Sequence, residues 1–283
     1  SPGVVAAEGR PVGLLPFSVL GPMGRTVDDA YMLLQAQAGT DPHDPFSTAP
    51  VTDLDSPLEQ ADLGSIRAMI TPDLGSAAMS HAYSSIFADR TSHFRHHFAA
   101  AIDASPDFTN GDNCFEVLRG VNFVAAHGGR MRDHRDSLSP NVVDNVDRGL
   151  AYSLADVAEA HLQQSRIARA WLDLFEDIDV VICPAASSTP FPHDQWSVSE
   201  IDGETMETYM RWLGITYLPT MALACGIALP CGLDQAGMPF GIQVLSAPGN
   251  DRLVAEVAKA LESVLQCHDA TRRPLPDLDS LRG

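Results

Sequence analysis

The chain has 283 residues, of which 45% are hydrophobic, 19% charged and 7% aromatic, and its formal net charge is −19. This composition excludes the disordered, collagen-like and membrane-embedded classes and predicts a soluble globular fold with a substantial core. The acidic charge argues against a surface that neutralises nucleic-acid phosphates and favours a cytoplasmic protein.

The composition also limits cofactors and partners. Five cysteines are widely spaced and form no C-x-x-C pair, so neither a disulfide framework nor a zinc knuckle is indicated. No nucleotide, flavin or metal motif is present, and no cofactor is predicted. No apolar run is long enough to span a membrane, and residues 1–20 lack the pattern of a signal peptide. We therefore expect neither a membrane nor a nucleic-acid partner.

The first part of the chain combines loops with one clear helix. Thr26 is placed as the helix N-cap, with Asp29 three positions later and Gly39 after the last turn. In chain order, the predicted elements are an extended run at 13–20, a helix at 26–38, a surface crossing at 40–62 and a strand within 65–70.

Helices and buried strands alternate in the rest of the chain. Apolar spacing predicts a helix within 81–102 that passes through Phe94, His97, Phe98 and Ala101. The run at 179–184 is apolar almost throughout, which is typical of a strand covered on both faces. Further helices are predicted at 113–127, 153–175, 203–217 and 250–264, and further strands at 226–232 and 239–244. This alternation predicts a layered α/β fold without a linker.

Four segments carry a family resemblance. They are GPMGRTVDDAYMLL at 21–34, DVVICPA at 179–185, IDGETMETYMRWL at 201–213 and ALPCGLDQAGMPFGIQV at 228–244. In this order they resemble successive blocks of amidase-signature hydrolases. The stretch Gly13–Phe46 is similar to the strand, turn and helix that follow the catalytic glycine–serine signature of that family. The resemblance implies a helix/mixed-sheet/helix fold, with residues 1–283 as the C-terminal portion of a single domain whose N-terminal part is missing.

The resemblance also implies the chemistry, which is hydrolysis of carboxamide carbon–nitrogen bonds by two serines and a lysine. A serine hydroxyl is a weak nucleophile until a base takes its proton, and in this family a neutral lysine does so through a second serine. Tight glycine turns expose N–H groups that stabilise the oxyanion. In the family order, the lysine and the signature come before the GPM block. The catalytic residues are therefore expected upstream of Ser1.

The residue inventory agrees with this order. Lys259 is the sole lysine and lies on the last predicted helix, so we interpret it as a surface charge. The two Ser-Ser pairs, 84–85 and 187–188, lack flanking glycines and are interpreted as loop serines. We expect no catalytic residue in this fragment and no activity from it alone. The expected substrate is a small-molecule amide, by default a linear carboxamide. The expected partner is the missing N-terminal portion of the same fold.

Three residues are candidates for the substrate pocket. Cys183 follows a buried strand, at the kind of sheet edge where α/β folds bind ligands. Tyr209 and Trp212 share the predicted helix with Tyr217, and aromatic side chains there are suited to walling an apolar pocket. Packing in the core is the alternative interpretation for all of these residues.

Two other hypotheses stay open. In one, the chain is a catalytically silent amidase-like scaffold or binding subunit that contacts a partner. In the other, a hydrolase uses Cys183 or a group of histidines for its chemistry. The histidines are His81, His93, His96 and His97, whose spacing resembles that of metal ligands. No H-E-x-x-H pattern accompanies them, so structural histidines are favoured and no metal is predicted.

Overall fold

The computed structural model describes residues 1–15, 17–47 and 52–275. Within these ranges the centre is a mixed five-stranded sheet, ordered β2-β1-β3-β7-β6. The strands in chain order are β1 (Arg67–Ile70), β2 (Ala100–Asp103), β3 (Val180–Pro184), β4 (Glu200–Ile201), β5 (Glu204–Thr205), β6 (Cys225–Leu233) and β7 (Pro239–Ser246), of which β4 and β5 form a separate ribbon. Strands β1, β2 and β3 are parallel, whereas β7 runs antiparallel to β3 and β6.

Helices cover both faces of this sheet, which confirms the predicted layered α/β fold. The helices are α1 (Val27–Gln37), α2 (His81–Ser92), α3 (Gly111–Asp133), α4 (Pro140–Ala151), α5 (Leu154–Leu174), α6 (Gly214–Met221) and α7 (Asp251–Gln266). A first core cluster packs α1, α2 and α7 on one face, and a second packs α3, α5 and α6 on the other. Alternate residues of β3 belong to the two clusters, Val180 to the first and Val181 to the second. The apolar run of β3 follows from this double burial.

Local capping signals explain the helices that the sequence predicts well. Thr26 accepts a hydrogen bond from the backbone N–H of Asp29, whose side chain accepts one from Thr26 in return. Ser153 and Asp156 form the same capping box at the start of α5. Each box satisfies two backbone N–H groups that the first turn of a helix leaves without a partner.

The predicted helix through Phe94, His97, Phe98 and Ala101 is wrong. Helix α2 ends at Ser92, a short 3₁₀ turn spans Arg95–His97, and β2 then pairs in parallel with β1. Phe94 and Phe98 are both buried in the first core cluster, with their ring centroids 6.5 Å apart. Their spacing fits a helix, but the hydrogen bonds of the neighbouring strand determine the local structure.

The helix predicted at 203–217 is only partly correct, because the helix in the structure, α6, begins at Gly214. Strand β5 and a 3₁₀ turn at Arg211–Leu213 precede it. Asp202 and Gly203 both have positive φ, 49° and 89°, and form the turn between β4 and β5. The structure assigns no strand to the described part of 13–20, from which residue 16 is excluded.

Candidate active-site surface

A groove of about 460 Å³ runs beside β6, which lies at one end of the sheet. Residues 21–27 and the start of α1 form one wall, β6 forms the other, and α7 forms the floor. The lining residues from α1 and α7 are Ala30, Tyr31, Leu34, Asp251, Val254, Ala255 and Glu262, and those from β6 are Cys225–Pro230. We call this surface the edge groove. It lies between two of the sequence blocks that carry the family resemblance.

Strand β6 is covered on one face only. Cys225, Leu229 and Cys231 are buried in the first core cluster, beneath α1 and α7. The alternating positions Gly226 and Ala228 are exposed, because the helices of the opposite layer do not cover them. β7 pairs with one side of β6, and the described residues place no strand on its other side. The edge groove therefore borders a strand with an open edge and an open face.

Residues 17–27 cross from one helix layer to the other around this edge. The ring of Phe17 lies 6.1 Å from that of Phe115 in α3, centroid to centroid. At the other end Val27 is buried in the first core cluster, and its N–H donates to Glu262 of α7 at 3.4 Å. Between these anchors Leu20 is 57% exposed and Met23 is 91% exposed. The crossing thus carries large apolar side chains that nothing described covers.

Lys259 is engaged in contacts that hold two helices together. Its Nζ donates to the backbone oxygen of Leu58 at 2.8 Å and lies 2.8 Å from Oδ1 of Asp28. These two contacts tie α7 to the first turn of α1 and to the backbone at residue 58. The geometry therefore gives Lys259 a structural role on α7.

The two Ser-Ser pairs occupy different environments. Ser84 and Ser85 lie within α2, so their interpretation as loop serines is wrong. Ser85 donates its hydroxyl hydrogen to the backbone oxygen of His81 at 2.8 Å. Ser187 and Ser188 follow β3 in a loop, as expected. The Ser187 hydroxyl is buried and has no hydrogen-bond partner among the described residues.

Cys183 lies in the second core cluster, fully buried on β3. Burial raises the pKa of its thiol well above the usual value, although a hydrogen bond with Gln243 opposes this effect. Nε2 of Gln243 also donates to the backbone oxygens of Pro184 and Ile215, at 3.1 and 2.8 Å. The Cys183 thiol is therefore a neutral group at the junction of β3, β7 and α6.

Tyr209 and Trp212 are half-buried and contact different neighbours. Arg119 donates to the Tyr209 hydroxyl, and its guanidinium carbon lies 5.6 Å from the Tyr209 ring centroid. The Trp212 ring packs edge-on against Phe191, with centroids 5.3 Å apart. The structure thus distributes Cys183, Tyr209 and Trp212 over three environments. Their assignment to a substrate pocket stays a prediction.

Asp112 of α3 contacts Arg211 and Tyr217, just before and in α6, and it was not singled out from the sequence. One of its oxygens accepts from Nη1 of Arg211 at 2.6 Å, and the other accepts the Tyr217 hydroxyl hydrogen. Burial raises the pKa of Asp112, and the contacts with Tyr217 and Arg211 partly offset the rise. The Tyr217 ring also stacks on Phe115 at 4.0 Å. These partners are about a hundred residues apart in the chain, so no local pattern indicates the contact.

The candidate histidines pair by ring packing, and the described residues do not bring three potential ligand atoms together there. His93 packs against His268 and His96 against His97, with ring centroids 5.1 and 4.3 Å apart. In the described part of the chain, the group that brings three potential ligand atoms together is Glu8, Asp41 and His43, within 4.8 Å of one another. These residues lie at the surface, where such groups are common without an ion.

Over the described ranges, every helix is too short or too polar to cross a membrane. The mixed sheet between two helix layers defines a layered α/β domain. A family model described as Amidase matches residues 3–255, so the chain belongs to the amidase family.

Curated relatives are similar over most of this chain. The acylamidase of Rhodococcus erythropolis is 24% identical over 265 residues, which are 89% of this chain and 55% of the relative. The fatty acid amide hydrolase of Medicago truncatula is 24% identical over 297 residues, which are 99% of this chain and 47% of the relative. The chain therefore spans about half the length of these relatives.

Solved structures show the same fold. A bacterial aryl acylamidase of the amidase-signature family has a TM-score of 0.75 at 18% identity, covering 97% of this chain and 60% of that chain. One component of the glutamyl-tRNA(Gln) amidotransferase from Thermotoga maritima has a TM-score of 0.63 at 16% identity, covering 89% of this chain and 54% of that chain.

Proposed function

We propose that the chain forms part of an enzyme that hydrolyses carbon–nitrogen bonds of carboxamides, and that the catalytic lysine and both serines belong to a segment outside these 283 residues. The observation that carries the proposal is the engagement of Lys259, the sole lysine, by Asp28 and the Leu58 carbonyl. Since the family mechanism needs a neutral lysine beside two serines, this chain lacks its base.

The proposed reaction is an acyl transfer. The neutral lysine takes a proton through the bridging serine, the nucleophilic serine adds to the amide carbonyl, and backbone N–H groups of the glycine-rich signature stabilise the oxyanion. The proton then passes to the leaving nitrogen as the carbon–nitrogen bond breaks. Water hydrolyses the acyl-enzyme and regenerates the serine. In this scheme the lysine and both serines lie in the segment outside these 283 residues.

In this proposal the chain contributes scaffold and part of the substrate pocket. Tyr209 and Trp212 are proposed as pocket residues because both are half-buried aromatic side chains. Tyr209 lies on a turn, and Trp212 lies in the 3₁₀ segment that leads directly into α6. Cys183 is proposed to support the pocket from the core beneath α6. The substrate is a small-molecule amide, with linear carboxamides as the first class to test, since the relatives include an acylamidase and a fatty acid amide hydrolase.

The test compares residues 1–283 alone with the same chain co-expressed with the segment encoded immediately upstream. Ammonia release from simple aliphatic and aryl carboxamides is the measurement. We expect activity only from the co-expressed pair, and loss of that activity when the upstream lysine is changed to alanine. Equal activity from residues 1–283 alone contradicts the proposal.

A catalytically silent subunit is the second candidate, because engagement of Lys259 is equally expected of a chain that performs no chemistry. The same experiment separates the two. A silent subunit binds its partner in equal amounts without any amide hydrolysis by the pair, and the upstream sequence then contains no lysine followed by a glycine-flanked serine pair.

A further inference from the structure

Arg119 of α3 carries a positive charge that no carboxylate of the described residues neutralises. Its Nε donates to Oδ1 of Asn145 at 3.0 Å, and its Nη2 donates to the Tyr209 hydroxyl. Both partners are neutral, and in the described part of the chain Nη1 has no hydrogen-bond partner. A half-buried guanidinium without a counter-ion favours the binding of an anion. Arg119 therefore has both the charge and the N–H donors for an anionic ligand.

The Arg119 guanidinium is held in one orientation before any ligand binds. Its central carbon lies 4.4 Å from the Phe123 ring centroid and 5.6 Å from that of Tyr209. The amide of Asn145 is buried and fixed, because its Nδ2 donates to the backbone oxygen of Asn141 at 2.7 Å. Its Oδ1 must then face the guanidinium, which can only donate. Since the plane of the guanidinium is fixed in this way, a ligand orders little further side-chain freedom.

The Tyr209 hydroxyl supplies a further donor at the same place. Its oxygen accepts from Nη2 of Arg119 and from Nδ2 of Asn145, the latter at 3.4 Å. A hydroxyl group that accepts through its lone pairs still carries one hydrogen to donate. Over the described ranges, no residue accepts that hydrogen. Arg119 and Tyr209 therefore present donors only, and the matching ligand is an acceptor with a negative charge.

These donors border a small cavity between α3, α4 and the turn before the 3₁₀ segment. Its volume is about 10 Å³, which admits about one water-sized group such as a carboxylate oxygen. Two carboxylates also line the cavity, but each has its own partner. Glu116 accepts from the Thr208 hydroxyl at 2.8 Å, and Asp144 pairs with Arg148 at 2.9 Å. Arg119 is therefore the charge at this cavity that a ligand can neutralise.

We infer that Arg119 and Tyr209 bind a carboxylate of the substrate, so that the amides hydrolysed carry a carboxylate elsewhere in the molecule, as monoamides of dicarboxylic acids do. The inference rests on the proposed function and adds the substrate class. Tyr209 lies on the turn that precedes the 3₁₀ segment with Trp212, so the anion site and the proposed pocket share a residue. A carboxylate is favoured over a neutral carbonyl oxygen, because charge-assisted hydrogen bonds are about twice as strong as neutral ones.

The experiment compares acid amides with neutral amides of the same chain length. It uses the enzyme assembled from residues 1–283 and the segment encoded immediately upstream. Succinamate, glutaramate and adipamate are paired with butanamide, pentanamide and hexanamide, and ammonia release gives kcat/KM for each. For at least one pair, we expect the wild type to favour the acid amide by about 10- to 100-fold, as hydrogen bonds to a charged group provide.

Three variants test the residues through the ratio of the two kcat/KM values, from which a general loss of folded enzyme cancels. Arg119→Met removes the charge at similar length, and the ratio should fall to about one. Tyr209→Phe keeps the ring beside Arg119 and removes one donor, so the ratio should fall by about 3- to 10-fold. It tests the same site if Arg119→Met does not fold. Arg135→Met, which removes a surface guanidinium paired with Asp147, is the control and should keep the wild-type ratio.

The outcomes separate this inference from the function on which it rests. An active wild type without a preference for acid amides overturns the inference and leaves the proposed function standing. A preference retained by Arg119→Met or Tyr209→Phe, or lost equally in Arg135→Met, has the same consequence. Co-purification of a tenth or less of the upstream segment with both Arg119→Met and Tyr209→Phe assigns the bound carboxylate to that segment and overturns its assignment to the substrate. A wild-type assembly that is inactive on every amide overturns both.

Discussion

The side-chain nitrogen of Lys259 lies 2.8 Å from a carboxylate oxygen of Asp28, and this contact joins α7 to the first turn of α1. A second contact, to the Leu58 carbonyl, holds the same nitrogen from the other side. The only lysine of the chain thus connects two elements of the floor and wall of the edge groove. Its role is in packing these elements, and the chemistry proposed for the family requires another lysine.

Replacement of Lys259 by methionine is therefore expected to change stability slightly and catalysis not at all. The side chains of Lys259 and Asp28 are 23% and 60% exposed, and pairs of this kind contribute about 0–1 kcal/mol to stability. Chemical denaturation of residues 1–283 measures the loss. Amide hydrolysis by the assembled enzyme should keep its wild-type rate, and a fall of about a hundredfold or more would instead assign Lys259 to the reaction.

The ion pair between Arg10 and Asp44 is buried, and its disruption should be costly. Asp44 accepts hydrogen bonds from Arg10 Nη1 at 2.8 Å and from the backbone N–H groups of Ala7 and Phe46 at 2.8 and 3.0 Å. Asp44→Ala leaves the Arg10 guanidinium buried without its partner, and we expect a loss of about 3–5 kcal/mol. Denaturation of Asp28→Ala, which removes an exposed carboxylate, provides the control. A loss no larger than that of the control contradicts the expectation.

The same carboxylate predicts a pH dependence of stability. Burial by itself raises the pKa of Asp44, but the hydrogen bonds from Phe46, Ala7 and Arg10 outweigh it and hold the pKa below its usual value of 3.8. The stabilisation is therefore complete above the unfolded pKa and is lost as the pH falls through the lower folded pKa. Denaturation midpoints measured below about pH 4 should fall more steeply for the wild type than for Asp44→Ala.

The contact between Tyr217 and Asp112 allows the contribution of one hydroxyl group to stability to be tested. Tyr217→Phe removes the hydroxyl that donates to Asp112 and retains the ring that stacks on Phe115. Hydrogen bonds to charged groups contribute about 1.5–3 kcal/mol, and a loss of this size is expected in denaturant titrations. The raised pKa of Asp112 should rise further in the variant, because the contact with Tyr217 lowers it. An unchanged midpoint shows that Asp112 does not depend on this donor.

Thiol reactivity tests whether Cys183 is available for chemistry. Burial raises the pKa of Cys114, Cys225 and Cys231 to about 12 and that of Cys183 still further, whereas Cys267 is exposed. A disulfide reagent at pH 8 should modify a single thiol rapidly in the native chain. Cys267→Ser should abolish that rapid phase. Rapid modification of Cys183 would revive the hypothesis of a cysteine-dependent hydrolase.

Elements with local signals could be predicted from the sequence, and those that depend on distant partners could not. The capping boxes at Thr26 and Ser153 are complete within four residues, and both helices follow as expected. Strand β2 depends on pairing with β1, more than thirty residues earlier, and its apolar residues suggested a helix instead. Helix α4 had no predicted counterpart, although the Ser139 cap and Pro140 in its first turn are signals that mark its start.

The candidate site also combines features with a signal in the sequence and features that depend on distant partners. The family blocks at 21–34 and 228–244 overlap the two walls of the edge groove, but the sequence did not predict that these walls face each other. The contact of Asp112 with Arg211 and Tyr217 appears only when α3 packs against α6. The sequence predicted one helix for Tyr209, Trp212 and Tyr217, whereas a turn and a 3₁₀ segment before α6 give these side chains different neighbours.

The most direct test of the proposed function is the location of the reactive serine. The active enzyme, containing residues 1–283 together with the upstream segment, is treated with a fluorophosphonate probe and digested, and mass spectrometry locates the labelled peptide. We predict a label on a serine of the glycine-rich signature, outside residues 1–283, and no label on residues 1–283 alone. A label on Ser85, Ser187 or any other serine of this chain contradicts the proposal.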